Sequence, residues 1–365
     1  MRNEVLKTFV VAACAGLAAT AWGEEAAPQE STTVSGKMFV DISYIDNESD
    51  GNSVDPTGWG NDVKRFYVGI DHKFDDMWSA NVTTDFNFIA NDSETQVFVK
   101  KAYVQAKVAD ALVVRAGSAD LPWVPFVEGL YGFRYVENVV TDRDKFGTSA
   151  DWGLHALGKF MGGKIAYAAS VVNGGGYKNS SRTNSVDFEG RVSIEPISGL
   201  TFALGGYSGK LGQDTEANPA ERTATRKDVL VAYVHGPIRA GAEYFEANNW
   251  KTVQNAVAVP PPGTTSDDTD GYSLWGSYQI TQMFGAFARY DRVNPSNHLN
   301  SDLEDKYWNL GFTCHARKNV DFALVYKNDK VDSGNLSTSN GTIGGPNATT
   351  DGEFKEIGLW AQIQF

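Results

Sequence analysis

The stretch from Asp120 to Gly147 concentrates charge: Asp120, Glu128, Arg134, Glu137, Asp142, Arg143, Asp144 and Lys145, three basic residues against five acidic. A second set of basic residues, Arg65, Lys101, Lys107, Arg115, Lys159, Arg191 and Arg239, falls on the polar side of segments in which polar and apolar residues alternate. Asp71, Asp85, Glu189 and Glu243 share that side. Fixed charges of this kind act on ions. Lining a narrow passage, they attract one sign and repel the other, and rings of Arg and Lys favour anions. Singly, each is also what any polar interior carries. As a group beside 120–147, with Arg115 on the segment leading in and Lys159 on the segment leading out, they are candidates for ion selection.

Bond-making chemistry has no comparable candidates. The chain contains no G-x-S-x-G elbow, no H-E-x-x-H and no phosphate-cradling G-x-x-x-x-G-K-[ST]. Its five histidines, His72, His155, His235, His298 and His315, stand at no metal-ligand spacing. Asp46 to Gly51 begins like a calcium loop, but Thr57 stands where the bidentate Glu belongs, so a solvated acidic loop is the better reading. No catalytic residue, metal or cofactor is expected.

The charges must be positioned by strands. Counting back from Phe365, Ile363, Ala361, Leu359 and Ile357 are apolar, while Gln364, Gln362, Gly358 and Glu356 are polar or small, with Trp360 the one exception. Period two over this length is a strand with one apolar and one wet face. A lipid-facing strand needs about 9–11 such residues. This segment resembles the C-terminal assembly signal of bacterial outer-membrane β-barrels, which ends in Phe. The same rhythm recurs at 34–46, 62–74, 78–91, 111–119, 148–160, 164–172, 184–195, 200–210, 225–235, 238–247, 271–280, 305–315 and 320–328. It is weaker at 95–108 and 283–293. Short connectors such as Gly236-Pro237 take turns with long ones: 47–61, 120–147, 173–183, 211–224, 248–270, 294–304 and 329–352, with 92–94 a short exception. That asymmetry is the mark of a transmembrane antiparallel β-barrel with turns on one side and outer loops on the other. The expectation is an all-β fold of sixteen strands, with eighteen as the alternative. The loops at 252–270 and 331–352 are low in complexity and read as segments that bury no core.

The composition agrees. Hydrophobic residues make up 42% of the 365, and beyond the N-terminus no apolar run reaches membrane-helix length. A net charge of −13 excludes nucleic acid as a partner, because phosphate neutralisation wants a basic surface. Arg2 and Lys7 ahead of the Ala-rich stretch Thr8 to Thr20 read as a secretory signal peptide cleaved after Ala21 or, preferably, Gly23. A lipoprotein box at Cys14 is the lesser reading. The expected order is a signal at 1–23, a polar leader at 24–33 and a barrel at 34–365. Cys314, alone after cleavage, lies on an apolar side with Trp308, Leu310 and Phe312 and reads as lipid-facing.

The third long connector also keeps Leu121, Trp123, Val124, Phe126, Leu130, Tyr131, Phe133 and Tyr135. A loop in solvent has little use for that much apolar surface, whereas a loop folded into a barrel does. Val114-Arg115-Ala116-Gly117-Ser118-Ala119-Asp120-Leu121-Pro122, Val136-Glu137-Asn138, Asp151 to Phe160 and Val171-Val172-Asn173-Gly174 resemble the phosphate-selective porin O/P family. The likeness centres on 110–180. It implies a homotrimeric outer-membrane channel for small hydrophilic solutes or ions, bedded in lipid and lipopolysaccharide, whose third loop narrows the pore. The family's phosphate preference rests on dense basic residues that this acidic chain does not match. The competing readings are a barrel enzyme (a lipase or protease), which needs a nucleophile–base pair not found here, and a secreted soluble carbohydrate-binding β-protein.

Overall fold

The alternation read from the sequence resolves into sixteen long strands among the described residues, each paired antiparallel with its sequence neighbours. They are β1 (Ser31–Ser49), β2 (Gly58–Lys73), β3 (Trp78–Phe88), β4 (Thr95–Ala109), β5 (Leu112–Asp120), β6 (Ala150–Phe160), β7 (Ile165–Val172) and β8 (Asp187–Ile197). The second half comprises β9 (Leu200–Gly209), β10 (Ala224–His235), β11 (Ile238–Asn248), β12 (Asp268–Gln279), β13 (Phe284–Asn294), β14 (Glu304–Arg317), β15 (Val320–Asp332) and β16 (Gly352–Gln364). The computed structural model describes residues 30–88, 95–220, 222–250, 266–345 and 347–365. The expected signal segment with Cys14, the connector at 92–94 and the proline run at 260–262 lie outside the described residues.

β16 closes on β1, from Lys37↔Gln364 to Ser49↔Gly352, so the sheet has no free edge. Exposure is inverted relative to a soluble protein. Ile42 and Val82 are 54% and 45% exposed, whereas Asp41 and Asp85, on the other face, are 1% and 0% exposed. An apolar exterior around a polar interior is the pattern of a barrel in a bilayer. Trp360, the exception in the last strand, faces inward and packs with Phe39, Tyr135, Val136 and Phe287.

Five register shifts interrupt the pairing among the described residues, and two of them skip a lysine. Between Phe39/Val40 and β2 the register skips Lys64, and between Thr83/Thr84 and β4 it skips Lys100. An extra residue in one strand re-aims its side chain. Both lysines thereby turn inward, Lys64 toward Asp41 at 3.2 Å and Lys100 toward the Tyr67 ring at 4.6 Å. The weak alternation of 95–108 has this cause.

The outer wall is asymmetric toward the long-loop end. Tyr272 and Tyr290, Trp308 and Tyr326, and Tyr44 and Trp59 stand as ring pairs 6.1, 5.2 and 5.5 Å apart. Beyond them lie ion pairs such as Lys330–Asp332 at 2.6 Å and Lys355–Glu353 at 2.9 Å. β4 and β8 instead present the exposed Val97, Val99 and Phe188.

Two sequence expectations need correction. β1 already begins at Ser31, inside the stretch read as leader. The 329–352 segment is largely structured: β15 runs to Asp332, and Asn335–Thr338 pairs with Gly341–Gly344. Leu336 and Ile343 of that ribbon are buried with Leu303, Val331 and Phe354. Two apolar side chains at facing positions anchor an otherwise polar loop.

A constricted cavity between the third loop and the barrel wall

Residues 121–149 fold into the barrel. Helix α1 (Val124–Tyr131) starts with a proline in its first turn, where no intrahelical N–H is lost, and ends at Gly132 in the left-handed conformation at φ 83°. A short α2 (Val140–Arg143) follows. Trp123, Val124, Val127 and Tyr131 pack on Ala203, Leu230, Ala232 and Trp275 of β9, β10 and β12. Gly205 is required beneath the indole, since a Cβ there would lie 2.4 Å from the Trp123 ring.

Polar anchors fix the loop to the same side of the wall. Trp123 donates its backbone N–H to Glu189 at 2.9 Å and its indole N–H to Glu243 at 2.7 Å. Arg191 and Arg239 donate to the carbonyls of Pro122 and Gly129 at 2.8 and 3.0 Å, and Arg226 to that of Phe146 at 2.6 Å. Arg143 meets Asp291 at 3.2 Å, Asp329 at 2.9 Å and Asp305, with Asp144 beside it at 3.1 Å. Lys327 of β15 lies 3.5 Å from Glu137. Burial pushes the Glu137 carboxyl up, but Lys327, the Ser339 hydroxyl and the Asn138 N–H outweigh it and hold it at about 2.

The loop thus covers the β9–β15 side and leaves space against β1 to β5. There a cavity of about 620 Å³ is lined by Lys37, Tyr67, Lys100, Lys101 and Asp120 from the wall and by Glu128 and Arg134 from the loop. Lys101 pairs with Asp120 at 2.6 Å, and Arg134 pairs with Glu128. Burial lowers the Arg134 guanidinium and Glu128 with Asp142 more than restores it, so it stays charged. Four cationic and two carboxylate side chains line the cavity, an excess of two positive charges. Among the described residues neither Lys37 nor Lys100 has a carboxylate within ion-pair distance. Confinement matters here, because charges closer than the Debye length of about 10 Å at 0.1 M salt are little screened from one another.

Of the residues singled out in the sequence, Lys101, Asp120, Glu128 and Arg134 meet at this cavity. Arg65 is paired with Asp85 at 3.0 Å, and Arg115 with Gln105 at 2.8 Å. Lys159 is exposed near a short turn, and Lys107 pairs there with Asp110 at 2.9 Å. Lys145 lines a separate cavity of about 530 Å³ with Asp151, Tyr207 and Trp250. Arg191 and Arg239 hold the loop by its carbonyls, and Arg143 is fully buried against the wall, away from any passage. Arg143 is turned there by carboxylates on β13, β14 and β15. Sequence reasoning overlooked Lys100, hidden by the bulge, and Lys37, whose inward parity was nevertheless readable in β1.

A family model described as Gram-negative porin matches residues 8–345. A search of curated proteins finds no match. Among solved structures the chain is similar to the anion-selective porin from Comamonas acidovorans, with 13% identity over 92% of this chain and 100% of that one and a TM-score of 0.66. It is also similar to OmpF of Salmonella typhi, solved in complex with daunomycin, with 14% identity over 92% and 97% of the two chains and a TM-score of 0.61. A third is the trimer form of OmpT, an outer membrane protein of Vibrio cholerae, with 13% identity over 92% and 99% and a TM-score of 0.57. At these identities the likeness is one of fold.

Proposed function

Because the chain belongs to the Gram-negative porin family, we propose that it is an anion-preferring porin whose selectivity arises at the cavity between α1 and β1–β5. Small hydrophilic solutes cross the outer membrane through it by passive diffusion, with no catalytic step. The observation that carries the anion preference is the excess of two positive charges among the lining side chains, with Lys37 and Lys100 unneutralised. Cationic rings are how pores favour anions. The pairing of Lys101 and Arg134 with carboxylates supports a general preference for small anions, phosphate among them, over a site dedicated to phosphate. The anion selectivity of the Comamonas porin is in keeping with this reading.

The working form is a homotrimer. The wall carrying Tyr272, Tyr290, Trp308 and Tyr326 below a row of ion pairs fits the lipid and lipopolysaccharide interface, where aromatic girdles belong. The uncharged Val97, Val99 and Phe188 of the opposite sector fit a neighbouring copy. Export uses the signal segment at 1–23, which is removed from the mature chain. The test of the anion preference is the zero-current potential of the purified protein in a planar bilayer under a KCl gradient. A potential of the sign set by chloride supports the reading, and one set by potassium ends it.

A further inference from the structure

From the long-loop end down into the cavity, the lumen wall carries rings and ammonium groups in alternation. Lys178 Nζ, at the long-loop end, lies 4.5 Å from the centre of the Phe98 ring. Phe98 stands 5.9 Å from Tyr177. Lys100 Nζ sits between Tyr177 at 5.6 Å and Tyr67 at 4.6 Å. Tyr67 meets Phe39 edge-on at 5.9 Å, and Lys37 follows on the same strand at the cavity. These residues come from β1, β2, β4 and the connector after β7, so no local motif in the sequence joins them. The β4 bulge is what turns Lys100 into the row.

A water-filled lumen has no need of partly exposed rings such as Phe98, Tyr177 and Tyr67, and polar residues would cost less there. Rings spaced between cations offer two kinds of contact at once. The ammonium groups attract a carboxylate, and an aromatic neighbour offers the edge-to-face or offset contacts that ring pairs prefer. Resting on the anion-preferring reading above, we infer that this row favours anions bearing an aromatic ring, the aromatic carboxylates, over aliphatic anions of equal charge and size. Lys178 and Lys100 take the carboxylate in succession, while Tyr177 and Tyr67 hold the ring on its way through the cavity. The ring contact is absent for a saturated acid of the same shape, and there the discrimination lies.

The test uses the intact porin in planar bilayers with KCl as the carrier. Benzoate and cyclohexanecarboxylate are added in turn to the long-loop side, and the concentration that halves the chloride conductance is read for each. Ring–ring contacts of the usual strength predict that benzoate blocks at a concentration about threefold or more below its saturated counterpart. Tyr67→Leu or Tyr177→Leu should bring the two acids together, and Lys100→Gln should weaken both. Should one tyrosine variant fail to insert, the other carries the comparison, since they stand on different elements. Equal block by the two acids in the unaltered protein, with chloride preference intact, overturns this inference and leaves the anion reading standing. Potassium preference in the unaltered protein overturns both.

Discussion

Arg143 of the third loop places Nη1 2.9 Å from Asp329 of β15. Its other nitrogens meet Asp291 and Asp305, so one side chain ties a helix of four residues to three strands. Arginine suits this junction because its planar fork presents five donors and keeps its charge when buried. The Tyr307 ring, 4.7 Å from the guanidinium carbon, covers one face. The cavity depends on that tether, since the loop backbone it fixes also presents Glu128 and Arg134 to its lining.

Replacing Arg143 by Met should therefore loosen the loop and weaken the fold. Removing one partner of a buried ion cluster typically costs about 3–5 kcal/mol, and although Asp291 keeps Arg289 at 2.6 Å, Asp305 and Asp329 would lose their cation. Heat-modifiability on gels should show the folded form lost at a lower temperature. In bilayers the channel should be noisier and wider. Unchanged melting and conductance would place the strength of the attachment elsewhere.

Acid should release a second tether. Glu137 in the folded protein titrates at about 2, below the ordinary carboxylate value of 4.5. A depressed folded value means that its stabilisation is present above the unfolded pKa and is lost as pH falls through the folded one. The window is thus roughly pH 4.5 down to 2, and about 3 kcal/mol is at stake at one pKa unit per 1.36 kcal/mol. Conductance recorded down this range should become unsteady in the natural protein. Glu137→Gln should flatten that dependence, and an unaltered acid response in the variant would remove Glu137 from the account.

The barrel seam makes a third case. Phe365 donates its N–H to the Gly36 carbonyl at 3.0 Å and accepts from the Gly36 N–H at 2.9 Å, while its ring lies across the bare glycine. Deleting Phe365 removes two hydrogen bonds, each worth about 0.5–1.5 kcal/mol, and uncovers the seam. Less protein should reach the heat-modifiable, membrane-inserted form, with synthesis and export unaffected. Normal outer-membrane levels of the deletion would show that the seam closes without it.

Most of the fold was legible because period-two alternation survives wherever one strand face meets lipid and the other water. Fourteen of the sixteen strands follow from it, 95–108 and 283–293 alternating only weakly, and the inward fold of the third loop is betrayed by apolar residues such as Trp123 and Tyr131. What escaped was set by a single extra residue or by distance in the chain. Strict parity would turn Lys64 and Lys100 to the lipid, and only the bulges reverse that. Arg143 reads as a free loop charge until Asp291, Asp305 and Asp329, far along the chain, are brought round it. Leu336 and Ile343 were too few to mark a ribbon in a stretch of Ser, Thr, Asn and Gly.

That the cavity lysines set the ion preference is tested most directly by charge reversal. Lys37→Glu and Lys100→Glu each change the lining from an excess of two positive charges to zero, and the double variant leaves an excess of two negative. Lys330, outward on β15 and paired with Asp332 at 2.6 Å, is the comparison. Zero-current potentials under a KCl gradient should move toward potassium in each single variant and reverse sign in the double. The shifts should shrink at high salt, as screening requires. Lys330→Glu should scarcely move the potential. Equal small shifts from Lys37, Lys100 and Lys330 would contradict the account, because the cavity could not then be the narrowest charged point of the passage.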